Sequence, residues 1–202
     1  MRSAGPRSSS SSRLTRSGMT LIELLIVIAL MGLVLGMALP RVNIEGARVN
    51  ATIRSLTATL SLAQRLAVSQ QYNVIVAFDS ASSRLRTHQD ANNNGIIDPS
   101  ERVTSTPLGD GVLFGRGAAP ALTFTTGAVG TNTFSLTRTS TGYPAIIFRR
   151  DGSASENGGF YLTTAKAAGT TNTSWSRAAE VIRSTGRVLW YSYASGAWTQ
   201  ER

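Results

Sequence analysis

Two groups of residues in this chain have the types and spacing to do chemistry. The first centres on Glu23, the one carboxylate in an apolar run that otherwise continues unbroken from Met19 to Leu39. An ionisable group at the centre of a bilayer costs about 2.5–3.5 kcal/mol, so such a residue is a functional candidate by default. Glu23 lies four residues after Met19, and the Gly18–Met19 step closes a short basic leader. A cationic amino terminus freed at that step would find a carboxylate with which to pair. The second group is the stretch Asp90-Ala91-Asn92-Asn93-Asn94-Gly95-Ile96-Ile97-Asp98-Pro99-Ser100-Glu101. It satisfies in full the calcium-loop pattern D-x-[DN]-x-[DN]-G-x5-E. That chemistry needs hard oxygen donors at alternating positions, a glycine for the sharp turn and a terminal bidentate glutamate. Asp90, Asn92, Asn94 and Glu101 would offer side chains, Ile96 its backbone carbonyl, and Asp98 a direct or water-mediated contact. No helix-forming stretch flanks the loop, so it is expected to bridge two strands. Three carboxylates with two amides suit Ca2+ at the concentrations found outside the cytosol. The competing reading is a hairpin that uses Asn, Asp and Gly only for their turn conformations.

A third group is basic and late: Arg149, Arg150, Lys166, Arg177, Arg183, Arg187 and Arg202, with Trp175, Trp190, Tyr191, Tyr193 and Trp198 among them. Such a mixture can hold nucleic acid by phosphate contacts and stacking, with Arg183 and Arg187 as the candidate DNA contacts. Aromatics alternating along one strand are more often core and sheet surface. Catalysis finds little support. His88 is the one histidine, cysteine is absent, and no serine sits in a G-x-S-x-G elbow. The missing cysteines also remove disulfides and thiolate metal sites. His88, two residues before Asp90, could touch the loop, though a strand-surface imidazole is the expected fate. The chain reads as a substrate of enzymes rather than an enzyme.

The elements that must position these residues follow from periodicity. Met19–Leu39 is longer than the apolar core of a secretory signal, roughly 7–15 residues, and long enough to cross a hydrocarbon layer of about 30 Å. A plain signal anchor would match that length, but it leaves Glu23, the Gly18 step and Pro40 unexplained together. Arg2, Arg7, Arg13 and Arg16 precede the run with no acid among them, which keeps the amino end cytoplasmic and sends the rest outward. The net charge of +9 falls to about +5 once those arginines are set aside, compatible with polyanions but not demanding them. Beyond Pro40, Val49, Ile53, Leu56, Leu60, Ala63 and Ala67 recur every three or four residues, which predicts an amphipathic helix continuing past a proline kink. Strands are expected at 73–79, 83–88, 112–114, 122–124, 133–137, 145–149, 159–163, 179–183 and 187–193, with tight turns at Asp151-Gly152 and Ser195-Gly196.

The Gly18–Met19 step, Glu23 and the apolar run resemble the class III signal of type IV pilins and type II secretion pseudopilins. Members of that family are cut after a glycine and methylated on the new amino terminus, which is usually Phe where this chain has Met19. LAQRLAVSQQ at 62–71, the strand ending in Phe78-Asp79, IIFRRDGSA at 146–154, GFYLTT at 159–164 and AAEVIRSTGRVLWY at 178–191 are similar to the GspH/FimT branch of minor pseudopilins and minor pilins. The resemblance implies an α+β, pilin-like fold: a long N-terminal transmembrane and amphipathic helix packed on a C-terminal two-sheet β-rich globular domain. The divisions would be a leader at 1–18, a membrane and assembly helix at 19–39, its amphipathic continuation at 40–72 and the β-rich part at 73–202. It implies processing at Gly18 and Met19 by a prepilin peptidase/N-methyltransferase, and pairing of Glu23 with a neighbouring subunit's amino terminus. The expected setting is a single-pass inner-membrane protein with a periplasmic domain, later incorporated among other pseudopilin or pilin subunits. The expected function is that of a minor pseudopilin in a type II secretion pseudopilus, supporting protein export. The alternative is a minor pilin of a type IV pilus, acting in pilus assembly, DNA uptake or adhesion. FimT-type DNA receptors carry a late Gly-Arg-x-Arg; here Gly186-Arg187-Val188-Leu189 lacks the second arginine.

Overall fold

The computed structural model describes residues 18–38, 44–95, 97–127 and 129–201. The chain divides into two compact units, Met1–Val42 and Asn43–Arg202. In the first, α1 spans Leu21–Ala38. It starts where Thr20 caps it: the Thr20 carbonyl accepts from Leu24 N at 3.1 Å, and Thr20 Oγ1 accepts from Glu23 N at 3.3 Å. Among the described residues no helix is long and apolar enough to cross a membrane. The described α1 provides about 27 Å of axis at 1.5 Å per residue, against a hydrocarbon core of about 30 Å. Leu39, the last residue of the expected span, and the expected kink at Pro40 lie outside the described residues.

The second unit opens with α2, Ile44–Gln70. The strands follow in order: β1 Asn73–Asp79, β2 Arg84–Asp90, β3 Val103–Pro107, β4 Val112–Phe114, β5 Leu122–Thr123, β6 Val129–Gly130, β7 Thr139–Ser140, β8 Tyr143–Phe148, β9 Gly158–Thr164, β10 Arg177–Val181, β11 Val188–Ala194 and β12 Ala197–Glu201. One five-stranded sheet runs β3-β2-β1-β8-β7, a second runs β12-β11-β10-β9-β4, and β5 pairs with β6. The pairings are antiparallel. This is the α+β arrangement of a helix on two sheets that the family resemblance implies.

The apolar stripe of α2 is the organiser. Val49, Ile53, Leu56, Leu60, Ala63 and Ala67 are all buried. They share one core with Val74, Val76 and Phe78 of β1, Ile146 and Phe148 of β8, Phe160 and Leu162 of β9, Ala179 and Val181 of β10 and Trp190 of β11. One helix face therefore closes the inner faces of both sheets. Most polar groups inside are paired, as burial demands; among the described residues the exceptions are Thr87 Oγ1, His88 Nδ1 and Thr163 Oγ1, which have no partner. The Glu180 carboxylate, fully buried, accepts from Thr125 N at 3.1 Å, Thr125 Oγ1 at 2.7 Å and Tyr191 OH at 3.0 Å. Burial, reinforced by that bond to Glu180, pushes the Tyr191 phenol well up.

Most expected strands are present, with shifted ends. Residues 133–137 form no strand. Phe134 makes a single bridge to Phe160, and the Glu156 carboxylate captures Thr137 N, Thr137 Oγ1 and Arg138 N at 3.0, 2.6 and 2.9 Å, taking donors that a ladder would have used. β3, β6, β7 and β12 were not expected. β6 and β7 are two-residue strands; β3 and β12 are edge strands, and the Val-Thr-Ser-Thr-Pro of β3 carries no inward apolar face to betray it, while its proline is tolerated at an edge. The Ser195-Gly196 turn does join β11 to β12, with φ of 52° and 84°, the double left-handed conformation of a two-residue hairpin.

Leu60 is 0 % exposed and Leu62 is 63 % exposed on the same helix. Leu60→Ala should cost about 2–5 kcal/mol in denaturant unfolding, and Leu62→Ala less than about 0.5 kcal/mol. Acid should also act through Asp79. Its buried carboxylate accepts from Ser82 N at 2.9 Å and from Arg86 Nη2 at 2.6 Å. The Ser82 backbone bond, with Arg86 and against burial, holds its pKa below the ordinary 3.8. A depressed carboxylate contributes stability above its unfolded pKa and loses it as pH falls through the folded one. The melting temperature should therefore drop below about pH 4, and Asp79→Asn should flatten that drop while lowering the neutral-pH value.

Candidate functional site

The amino-terminal candidates lie together at the start of α1. Gly18 and Met19 precede the helix without regular structure, both exposed. Glu23 stands in the first turn, where a carboxylate also complements the helix dipole. Thr20 and Glu23 have the spacing of a capping box, a local role for Glu23 beside the one its place in the apolar run suggests. Around Glu23 the helix is apolar and uncovered: Leu21, Ile22, Leu25 and Ile28 are 83, 68, 61 and 62 % exposed. A helix apolar on every side needs lipid or other helices around it.

The second candidate, Asp90–Glu101, is the β2–β3 connection, a strand-to-strand loop as expected. Its neck is closed by the His88–Val103 pair and by Gln89 N donating to Arg102 O at 3.0 Å. Asp90 is buried; its two oxygens accept from Asn94 N and Gly95 N, each at 2.9 Å. Gly95, at φ 77°, supplies the left-handed turn that the pattern requires. Asn92 Nδ2 and Asn94 Nδ2 both donate to Asp98 Oδ2, at 2.6 and 2.9 Å. The third, fifth and ninth positions of the loop thus meet at one point. Asn92 Oδ1 accepts from Asn94 N at 3.0 Å, so the amides here face Asp98 with their N–H groups, and both would have to turn to present oxygens to a cation at that point. Asn93 Oδ1 accepts from Asn73 N at 2.8 Å and moors the loop to β1.

Glu101 closes the loop from below. Its Oε1 accepts from Ala91 N at 2.8 Å, and its Oε2 from Asp98 N at 3.1 Å. His88 Nε2 lies 2.7 Å from the same Oε2, both side chains 3 % exposed. The imidazole is therefore not on an open strand surface; it is buried against the loop. That contact, with the Asp98 N–H, holds the Glu101 carboxyl below its ordinary value. Asp90 and Glu101 each keep lone-pair capacity beyond these bonds, and with Asn92, Asn94 and Asp98 they form an all-oxygen donor set of the kind hard cations take. Ile96 lies outside the described residues. Among the described residues, no three His, Asp or Glu side chains gather as a metal-holding group; the convergence here depends on asparagines.

The late aromatics serve packing. Trp190, Tyr191 and Tyr193 are buried, Trp175 packs on the main core, and Trp198 Nε1 donates to Pro120 O at 3.0 Å. Arg177 is buried too, its Nε donating to Asn50 Oδ1 at 2.6 Å, and burial lowers its pKa. Arg183 and Arg187 remain exposed, on the β10–β11 turn. Arg202 lies outside the described residues.

Comparison with known proteins joins the two parts of the chain. Residues 13–39 match the prokaryotic N-terminal methylation motif. A pilin-like protein of Thermus thermophilus, PilA1, is 31 % identical over 99 residues, spanning 48 % of this chain and 64 % of that protein. The minor pseudopilin EpsH from the type 2 secretion system of Vibrio cholerae aligns in structure with a TM-score of 0.48 at 12 % identity, over 72 % of this chain and 97 % of EpsH. Residues 52–185, most of the second unit, match the family described as type II transport protein GspH, and the chain belongs to that family.

Proposed function

We propose that the chain is a minor pseudopilin of a type II secretion pseudopilus, with an assembly role and no catalysis of its own. The observation that carries this reading is the succession in one chain of an N-terminal methylation motif at 13–39 and a GspH domain at 52–185. The chain would be cut after Gly18 and methylated at Met19 by a prepilin peptidase/N-methyltransferase. The apolar helix would hold it in the inner membrane, amino end cytoplasmic and globular unit periplasmic, until it joins other subunits. Glu23 would then pair with a neighbouring amino terminus, because an unpaired charge among packed apolar helices is expensive. A second reading, a minor pilin of a type IV pilus, is favoured by the 31 % identity to a protein described as pilin-like. In that setting Arg183 and Arg187 would be the candidate DNA contacts. Deleting the gene, with complementation, separates the two: lost exoprotein secretion with intact pili supports the pseudopilus, and the reverse supports the pilus.

The β2–β3 loop is proposed to hold Ca2+ through Asp90, Asn92, Asn94, Asp98 and Glu101, with the Ile96 carbonyl from the sequence pattern. The support is the pattern together with the meeting of Asn92 and Asn94 on Asp98. The ion would stiffen an excursion already moored to β1, on a unit destined for a calcium-rich exterior.

Glu23→Ala should be processed normally but fail to enter filaments in a co-assembly assay; normal incorporation would sink the pairing role. For the loop, a cation at a hundredfold excess over Kd adds about 2.7 kcal/mol, a rise in Tm of roughly 5–10 °C for a unit of this size. Asp90→Ala/Glu101→Ala should abolish the rise, and identical melts in calcium and in chelator would return the loop to a simple turn.

A further inference from the structure

Two turns carry arginines to one place. In the β8–β9 turn, Arg149 N donates to Ser153 O at 2.8 Å and Gly152 N to Arg149 O at 2.9 Å, while in the β10–β11 turn Gly186 N donates to Ile182 O at 2.8 Å. The turns are stitched together. Ala154 N donates to Arg183 O at 2.8 Å, and Arg183 N donates to Asn157 Oδ1 at 2.7 Å. Gln64 of α2 spans both, its Nε2 donating to Gly152 O at 3.0 Å and Thr185 O at 2.6 Å. The approach is so close that a Cβ at Gly186 would lie 2.3 Å from Gly152 O. The backbone bearing Arg149, Arg150, Arg183 and Arg187 is thus fixed in advance.

None of these four arginines has a salt-bridge partner among the described residues. Arg149 and Arg183 line an open cleft of about 470 Å³ with Thr126, Ser153, Asn157 and Ser184, within the range of ligand sites. A second hollow of about 340 Å³ adjoins it, sharing Arg149 and adding Arg150, Asn73, Asn93 and Asp151. We infer that this pair of hollows binds an acidic peptide segment of a partner protein, with successive carboxylates on Arg149–Arg183 and on Arg150. Guanidinium forks fit carboxylates in bidentate pairs, and the Thr, Ser and Asn side chains suit the polar main chain between them. A nucleic acid strand fits less well: neither hollow is lined by an aromatic ring on which a base could stack. Asp151 itself is occupied, its Oδ1 accepting from Ser153 N at 2.8 Å and Ser153 Oγ at 2.6 Å.

The test uses the full chain in detergent micelles and fluorescence anisotropy of a fluorescein-labelled hexaglutamate peptide at low salt. Arg149→Ala/Arg183→Ala should weaken binding at least about tenfold, whereas Arg84→Ala/Arg138→Ala, an equal loss of exposed charge elsewhere, should leave it within about twofold; one lost bidentate charge pair is enough for that difference. Should the first variant melt early, Arg150→Ala/Arg183→Ala, both on the open surface, reads the same site. No peptide binding, or an equal loss in both variant pairs, overturns the inference. So does a single-stranded 12-mer oligonucleotide that binds more tightly than the peptide and is weakened by the same substitutions.

Discussion

Everything in the globular unit depends on one helix face being shared by two sheets. Each sheet has an inner surface that must leave water, and residues of both enter one core with the helix. The α2 stripe supplies the missing wall to both. Burying six side chains of Val, Ile, Leu and Ala on one helix, each large one contributing roughly 1.5–3 kcal/mol, makes the helix part of the fold rather than a stalk with a domain attached. It also explains why polar groups at the helix margins are bound to distant strands. Asn50 receives Arg177, and Gln64 spans two turns, because the helix lies against the ends of the second sheet.

That wall was legible from spacing alone, since a three-to-four repeat of apolar residues needs no tertiary information. The same holds for β1, a β-branched run with both faces covered, and for the Ser195-Gly196 hairpin, whose conformation is written in its residue types. Of the edge strands, β4 was legible but β3 and β12 were not. β3 and β12 owe their strand character to a neighbour's unpaired ladder, a cause that lies outside their own residues. Residues 133–137 erred in the opposite direction: the residues suit a strand, but a carboxylate remote in sequence, Glu156, claims their donors.

The candidate sites divide in the same way. The calcium pattern and the Glu23 junction are linear, so their residues could be named at once, together with the strands on either side of the loop. His88 was expected on the strand surface and is instead buried against Glu101, because whether an imidazole on a strand meets solvent or Glu101 depends on how the loop folds back over it. The late aromatics were expected to pack rather than to stack on a base, and the second sheet buries Trp190, Tyr191 and Tyr193. Gln64 carried no signal, since a glutamine on a helix flank gives no hint of the two carbonyls it will reach. Charge follows a consistent division in the result. The buried carboxylates Asp79, Glu101 and Glu180 each accept at least two hydrogen bonds, while much of the cationic excess stays at the surface.

The closing of α2 against β10 and β11 has a consequence in time. Gln64 and Thr185 are 121 residues apart, and Asn50 and Arg177 are 127 apart. A chain emerging amino end first presents the greasy side of this helix long before the strands that cover it exist. Contacts of such long sequence separation form slowly, because the loop between them must be closed before they return any free energy. The helix therefore cannot complete its core until β11, which supplies Trp190 to it, has been synthesised.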